Sequence, residues 1–353
     1  MRVGLRIPPC APVPELVELV RAAEQTGLDE VWFPDSQLLW RDVFSVATAA
    51  AAATDRITLG TAVTNVVTRH PAVVASAART VAEVAPGRFV LGVGVGNSSV
   101  GPVGLKSSTG AQLRAGLEVV RDLLSGREVD FGTVASRLRD PVEVPIHIAA
   151  SGPRNLRLAG EIADGVILLS GVSPAPLAAA TARVREGADA AGRGRAPMTV
   201  SAFCQVTDNV PRAARSLKPI CASIAQTGGG PFLAAAGIHI DVPDRIPHVY
   251  PDLVHAEDWE AAITACDPYV DDDAAVAFAR EFCLFGTASE IVDRLGTVRA
   301  AGADAVFLQH VGSYDLPHAL LTDLGDQVLP LVRARQWPTG DASADSPNSQ
   351  AAS

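Results

Sequence analysis

The sequence predicts a (β/α)8 TIM barrel, an α/β fold of eight parallel strands alternating with helices. Three observations lead there. The chain has 353 residues, 48% hydrophobic and 19% charged, enough to bury one large core. Short apolar runs of strand length alternate with Ala/Leu-rich amphipathic stretches along the whole chain. One local pattern also recurs: "GLDEVWF" from Gly27, "ADGVIL" from Ala163 and "GADAVFL" from Gly302 each run from a small residue through Asp into a buried stretch. Each reads as a helix end turning into a parallel strand. A doubly wound open sheet shares the same alternation and is the alternative.

In chain order, strands are expected at residues 3–7, 30–33, 57–63, 89–93, 146–149, 165–169, 200–206 and 305–309. These are short apolar or β-branched runs bounded by turn residues. Helices are expected after them at 13–26, 42–54, 72–84, 110–124, 153–162, 174–190, 211–224 and 316–333. Eight such units make the barrel, which takes about 250 residues plus insertions. The surplus falls between strands seven and eight, at 226–284. There "TGGGPF" and a Pro-rich run precede an acidic helical stretch, and a helix at 288–301 then leads into the last strand. The insertion is expected at the catalytic mouth of a single domain spanning 1–335. The small, polar tail 338–353 is expected to be disordered.

The totals exclude several classes. A net charge of −10 and a pI near 5.2 leave no general affinity for nucleic acid or anionic membranes. Five scattered cysteines form no C-x-x-C pair, which fits free, buried thiols in a reducing compartment. No secretory leader is visible, and the Ala-rich run Val43–Ala53 is too short to span a bilayer. The expected setting is cytoplasmic. The seven histidines show no ligand spacing, so no metal is expected.

In this barrel the chemistry sits at the C-terminal strand ends. That selects Arg6, Asp35 with Trp40, residues 61–65, Gly94–Ser99, Ala150–Gly152, Ser170–Gly171 and His310. "VLGVGVGNSSVGPVGL" (Val90–Leu105) has alternating glycines but no helix directly after them, so the dinucleotide-binding geometry fails. Its glycines are read as letting a flat ligand approach the backbone, with Asn97 supplying a polar group. In "IHIAASGPRN" a strand ends at Ala149-Ala150, Ser151-Gly152 turn, and Pro153 stands at the first helical position. The free N–H groups there favour a phosphate. Asp35 either accepts hydrogen bonds from a cofactor or caps a turn. Trp40 is either a platform for a substrate or core packing. Arg6 suits an anionic or carbonyl substrate. His310, at the end of strand eight, is the histidine expected to face a substrate.

"GLDEVWFPD", "ITLGTAVTNVVTRHPAVVASAARTVAEVAPGRFVLGVGVGNSSV", "IAASGPRNLRLAGEIADGVILLSG" and "FGTASEIVDRLGTVRAAGADAVFLQH" resemble the bacterial-luciferase-like monooxygenase superfamily. Within it they are closest in character to the coenzyme F420-dependent branch of dehydrogenases and methylenetetrahydromethanopterin reductases. The resemblance covers residues 1–333 in order. It implies a homodimeric TIM barrel holding a deazaflavin ring against a bulge at Ala62, Val63, Thr64 and Asn65, with a cis peptide at Ala62–Val63. It also implies that Thr64 and Asn65 bond the ring edge, that Asp35 helps hold the ring, and that Trp40 lies toward the substrate. Ala149, Ala150, Ser151, Gly152 and Pro153 would form the phosphate turn. Arg6, Asn97 and His310 are the expected catalytic groups. Ser36 replaces the histidine that follows the strand-two Asp in the sugar-phosphate and alcohol enzymes. Arg6 and Asn97 stand where the reductase carries acids. The activity implied is an F420-dependent oxidoreductase passing hydride to or from a small organic molecule. An FMN-dependent monooxygenase and a non-catalytic flavin-binding member are the alternatives.

Overall fold

The computed structural model describes residues 1–312, 314–335 and 337; the tail expected at 338–353 lies outside them. Eight parallel strands run Arg2–Arg6, Glu30–Phe33, Thr58–Thr61, Phe89–Val93, Ile146–Ala150, Gly165–Leu168, Met198–Val206 and Ala305–Gln309. Consecutive strands pair, and the eighth returns to the first with Arg2 opposite Ala305. The sheet is therefore a closed barrel, and the open doubly wound alternative falls. Strand three stops at Thr61, short of the expected Val63. The chain leaves the ladder there through a cis Ala62–Val63 peptide, and only a bridge from Thr64 to Val93 continues the pairing.

The repeated Asp has one job in all three copies. Asp29 Oδ2 accepts from the Val3 N–H at 2.7 Å, Asp164 Oδ2 from Ile146 at 3.0 Å, and Asp304 Oδ2 from Met198 at 2.8 Å. In each case the same Asp returns its own N–H to that residue's carbonyl. The Asp before one strand thus closes the open end of the preceding strand and sets the register of the pair. Asp304→Ala should destabilise the fold by about 1–2 kcal/mol, the cost of leaving the buried Met198 N–H unsatisfied. A urea midpoint equal to wild type would refute this.

The barrel interior is filled by Trp32, Ile167 and Phe307, on which Ala62, Val63 and Ala149 pack. The rings of Trp32 and Phe307 lie 5.4 Å apart, and Trp32 donates its indole N–H to the buried Glu30 at 2.9 Å. This plug closes the barrel beneath its C-terminal mouth.

The surplus after strand seven builds a second apolar core around Leu217, Ile220, Leu233, Phe278 and Phe282. The acidic stretch is two helices, Trp259–Cys266 and Asp272–Phe282, capped by Asp258 and Asp271 and broken around Pro268. A short strand the pattern did not reveal, Leu284–Gly286, pairs with the far end of strand seven. A small hairpin at Val129–Asp130 and Ala135–Ser136 was likewise not expected. Cys204, Cys221, Cys266 and Cys283 are free and buried. Among the described residues no helix is long and apolar enough to cross a membrane.

Candidate active site

The strand ends enclose a cavity of about 220 Å³ that opens to solvent. Its wall brings together Arg6, Asp35, Trp40, Ala62, Val63, Asn97, Ala149, Ala150 and Ser151 from the expected set. Thr64, Asn65, Gly152, Pro153 and His310 are not part of that wall.

Ala62 and Val63 form a ledge on top of the aromatic plug, joined by the cis peptide that the resemblance implied. Gly92 and Gly94 make room for this ledge, while Gly94 and Gly96 also line the cavity. A Cβ on Gly94 would lie 2.7 Å from Val63 Cγ2, and one on Gly92 would overlap the Thr61 carbonyl oxygen. The bulge itself fills the space that the missing side chains leave.

Thr64 and Asn65, expected at the ring edge, make their side-chain bonds within the protein. Both are buried. Thr64 Oγ1 donates to Asp35 at 2.7 Å. Asn65 Oδ1 accepts from the Val67 and Thr68 N–H groups at 2.9 and 2.8 Å, and its amide donates to Ser99 Oγ at 2.9 Å. Asn65 thus shapes the turn that presents Arg69, a residue the sequence reading passed over. Arg69 donates through Nε and Nη2 to Asp35, at 3.0 and 3.1 Å, and through Nη2 to Asp42 at 2.8 Å. The signal was available: a lone Arg in "TNVVTRHP", on the loop leaving strand three. Its partners lie 34 and 27 residues away, so only the fold joins them.

The loops after strands two and four are latched across the mouth. Ser36 and Ser98 hydroxyls meet at 2.6 Å, and Gln37 donates to the Ser99 carbonyl at 2.6 Å. On the opposite side, helix Pro153–Ile162 begins at Gly152 with no side-chain cap. Its first-turn N–H groups remain available to an anion. Asn155, from that first turn, also lines the cavity and was not anticipated.

Arg6 ends strand one, with its guanidinium 5.5 Å from the centre of the Trp40 ring. Burial lowers its pKa to about 10, so it stays charged near neutrality. Trp40 packs edge-on against His255 of the insertion, whose Nδ1 lies 2.9 Å from both Asp252 oxygens. The insertion therefore reaches the mouth. His310, expected to face substrate, lies outside the wall. Its Nε2 is buried without a partner, and burial, then the Arg6 charge, lower its pKa to about 4. Among the described residues, no group of three His, Cys, Asp or Glu could hold a metal ion.

His147, below the plug, carries a testable pH dependence. Burial lowers its pKa from 6.5 to about 4, and its Nδ1 has no partner. Between those values the unfolded chain binds a proton that the folded chain refuses. Stability should therefore fall as the pH drops from about 6.5 to about 4, by about 3 kcal/mol. Urea unfolding of His147→Phe should show a shallower acid limb, and an unchanged limb would disprove the assignment.

A closed barrel, a backbone ledge and the first turn of an uncapped helix meet at one cavity, the architecture of a barrel enzyme with its site at the strand ends. The chain belongs to the luciferase-like monooxygenase family, whose model matches residues 1–305. It is similar to the 5,10-methylenetetrahydromethanopterin reductase of Methanolobus tindarius, at 32% identity over 65% of this chain and 72% of that one. It is also similar to the F420-dependent glucose-6-phosphate dehydrogenase of Nakamurella multipartita, at 38% identity over 51% of this chain and 59% of that one. Among solved structures, the coenzyme F420-dependent tetrahydromethanopterin reductase of Methanopyrus kandleri superposes with a TM-score of 0.73 at 22% identity. That match covers 94% of this chain and 99% of the other, and it bears on the fold alone.

Proposed function

We propose that the protein is an F420-dependent oxidoreductase that passes hydride between the deazaflavin and a small organic substrate. One observation carries this reading: the flat Ala62–Val63 ledge and the uncapped start of helix Pro153–Ile162 share one cavity. The residues present fit the cofactor. The ledge suits one face of a planar ring, and the N–H groups beside Ser151 and Asn155 suit its phosphate. The relatives named above for F420 support the choice of this cofactor over FMN.

When bound, the deazaflavin supplies a carbon centre that accepts or donates hydride. The chain's own residues do the positioning. Val63 and Ala62 back the ring against the plug. Asp35, braced by Thr64 and Arg69, stiffens the wall beside it. Ala149, Ala150 and Ser151 border the phosphate end, where Gly152 and Pro153 start the helix without entering the wall. Trp40 closes the substrate side. Arg6 and Asn97 face the substrate, with His310 behind Arg6. The reading also carries a homodimer in a cytoplasmic setting, and light scattering in solution checks the first part.

Titrating the purified protein with F420 and with FMN, followed by fluorescence, tests the proposal. Saturable F420 binding at least tenfold tighter than FMN is expected. Tight FMN binding without F420 binding would instead make it an FMN enzyme.

A further inference from the structure

Arg6 stands apart from the other deeply seated cations. Arg69 has two carboxylates, Lys218 holds Asp267 and Asp272 at 2.6 and 2.7 Å, and Arg88 donates to the carbonyls of Ala51, Thr54 and Ile57. Among the described residues, no carboxylate lies within ion-pair distance of Arg6, and no charged neighbour offsets its burial. The cavity wall contains one acid, Asp35, and that carboxylate is already held by Arg69 and Thr64. The mouth therefore carries one uncompensated positive charge. Arg6 is partly buried in the cavity wall, and a charge drawn away from water is costly until something pairs with it.

The charge is also held in place. Arg6 lies against Trp40, and Trp40 lies against the His255–Asp252 pair of the insertion. A guanidinium fixed by an aromatic ring presents its N–H fork in one direction, which suits a planar carboxylate.

Resting on the proposed oxidoreductase function, we infer that Arg6 is the anchor for a carboxylate on the substrate, so that the enzyme acts on a small organic acid. An anion at this position has two sources, the substrate's carboxylate or the cofactor's own phosphate. The helix start near Ser151 and Asn155 offers the phosphate a separate place, which favours the substrate.

Isothermal titration of the full-length protein, with and without F420, tests this. The probes are acetate, pyruvate and benzoate, each against its matching amide, on wild type, Arg6→Gln and Arg6→Lys. At least one acid should bind wild type tenfold or more tighter than its amide. Arg6→Gln should remove that preference, Arg6→Lys should keep part of it, and F420 affinity should change less than threefold in both. No preference for any acid over its amide in wild type overturns the inference, even if Arg6→Gln fails to fold. A loss of F420 affinity in Arg6→Gln as large as the loss of acid binding also overturns it, by assigning the cation to the cofactor. Acid preference at Arg6 without any F420 binding would sustain the anion site and sink the cofactor reading instead.

Discussion

Arg69→Met is expected to lower the stability of the folded chain by about 3 kcal/mol and to weaken F420 binding at least tenfold. The side chain of Asp35 is 2% exposed, and it accepts three hydrogen bonds, two of them from Arg69. Burial alone would lower the pKa of Arg69, yet the Asp35 and Asp42 carboxylates raise it above its ordinary value. The attraction therefore outweighs the desolvation. Methionine keeps the apolar stem but leaves a buried carboxylate with one neutral donor, Thr64. The contact to Asp42 adds little, because that carboxylate is 44% exposed. Combining Arg69→Met with Asp35→Asn should recover most of the lost stability, since no unpaired charge then remains. The cycle is read by urea unfolding. A double variant no more stable than Arg69→Met alone would show that Arg69 acts by packing and not by charge.

The second large effect runs against helix propensity. Replacing a glycine in a helix interior by alanine ordinarily stabilises by about 1 kcal/mol. Gly187→Ala is expected to destabilise by about 3 kcal/mol. Helices Pro153–Ile162 and Pro174–Ala190 cross at Gly160 and Gly187, each facing the other's backbone. A Cβ on Gly187 would overlap the Arg157 carbonyl oxygen and lie 2.8 Å from its carbon, and one on Gly160 would overlap the Val184 carbonyl oxygen. Backbone cannot swing aside as a side chain can, so one helix must move. The helix Pro153–Ile162 starts at the cavity, so phosphate binding should weaken as well. Gly194→Ala, where a Cβ would meet nothing within 4 Å and the next residue is not proline, is the control and should leave stability unchanged or raise it. Equal thermal midpoints for Gly187→Ala and wild type would rule out the close crossing.

The barrel and the site were not equally legible. The eight strand positions, the reused βα unit and its Asp could be read directly. Each is local, a matter of apolar period, turn residues and an Asp one step before a strand. The same logic found the cavity wall at Arg6, Asp35, Trp40, Asn97 and the turn after strand five, because barrel topology assigns strand ends to one face. The resemblance placed the cis bond at Ala62–Val63.

What the linear pattern could not reveal was which neighbours each side chain acquires. Thr64 and Asn65 looked like ligand groups through the family resemblance and their place at a strand end. Barrel closure turns them inward, to Asp35 and Ser99. The glycines in and after strand four looked like room for a ring; the fold adds that Gly92 and Gly94 also accommodate the bulge of strand three, while Gly94 and Gly96 line the cavity. Arg69 passed unnoticed, since nothing within its own loop calls for an arginine. The sequence by itself determined the barrel and the residues at its mouth, because periodicity and turn chemistry act over a few residues. Only the tertiary structure decided that Asp35 is paired and Arg6 is not. Pairing depends on distances of a few ångströms between residues that closure of the barrel brings together from far along the chain.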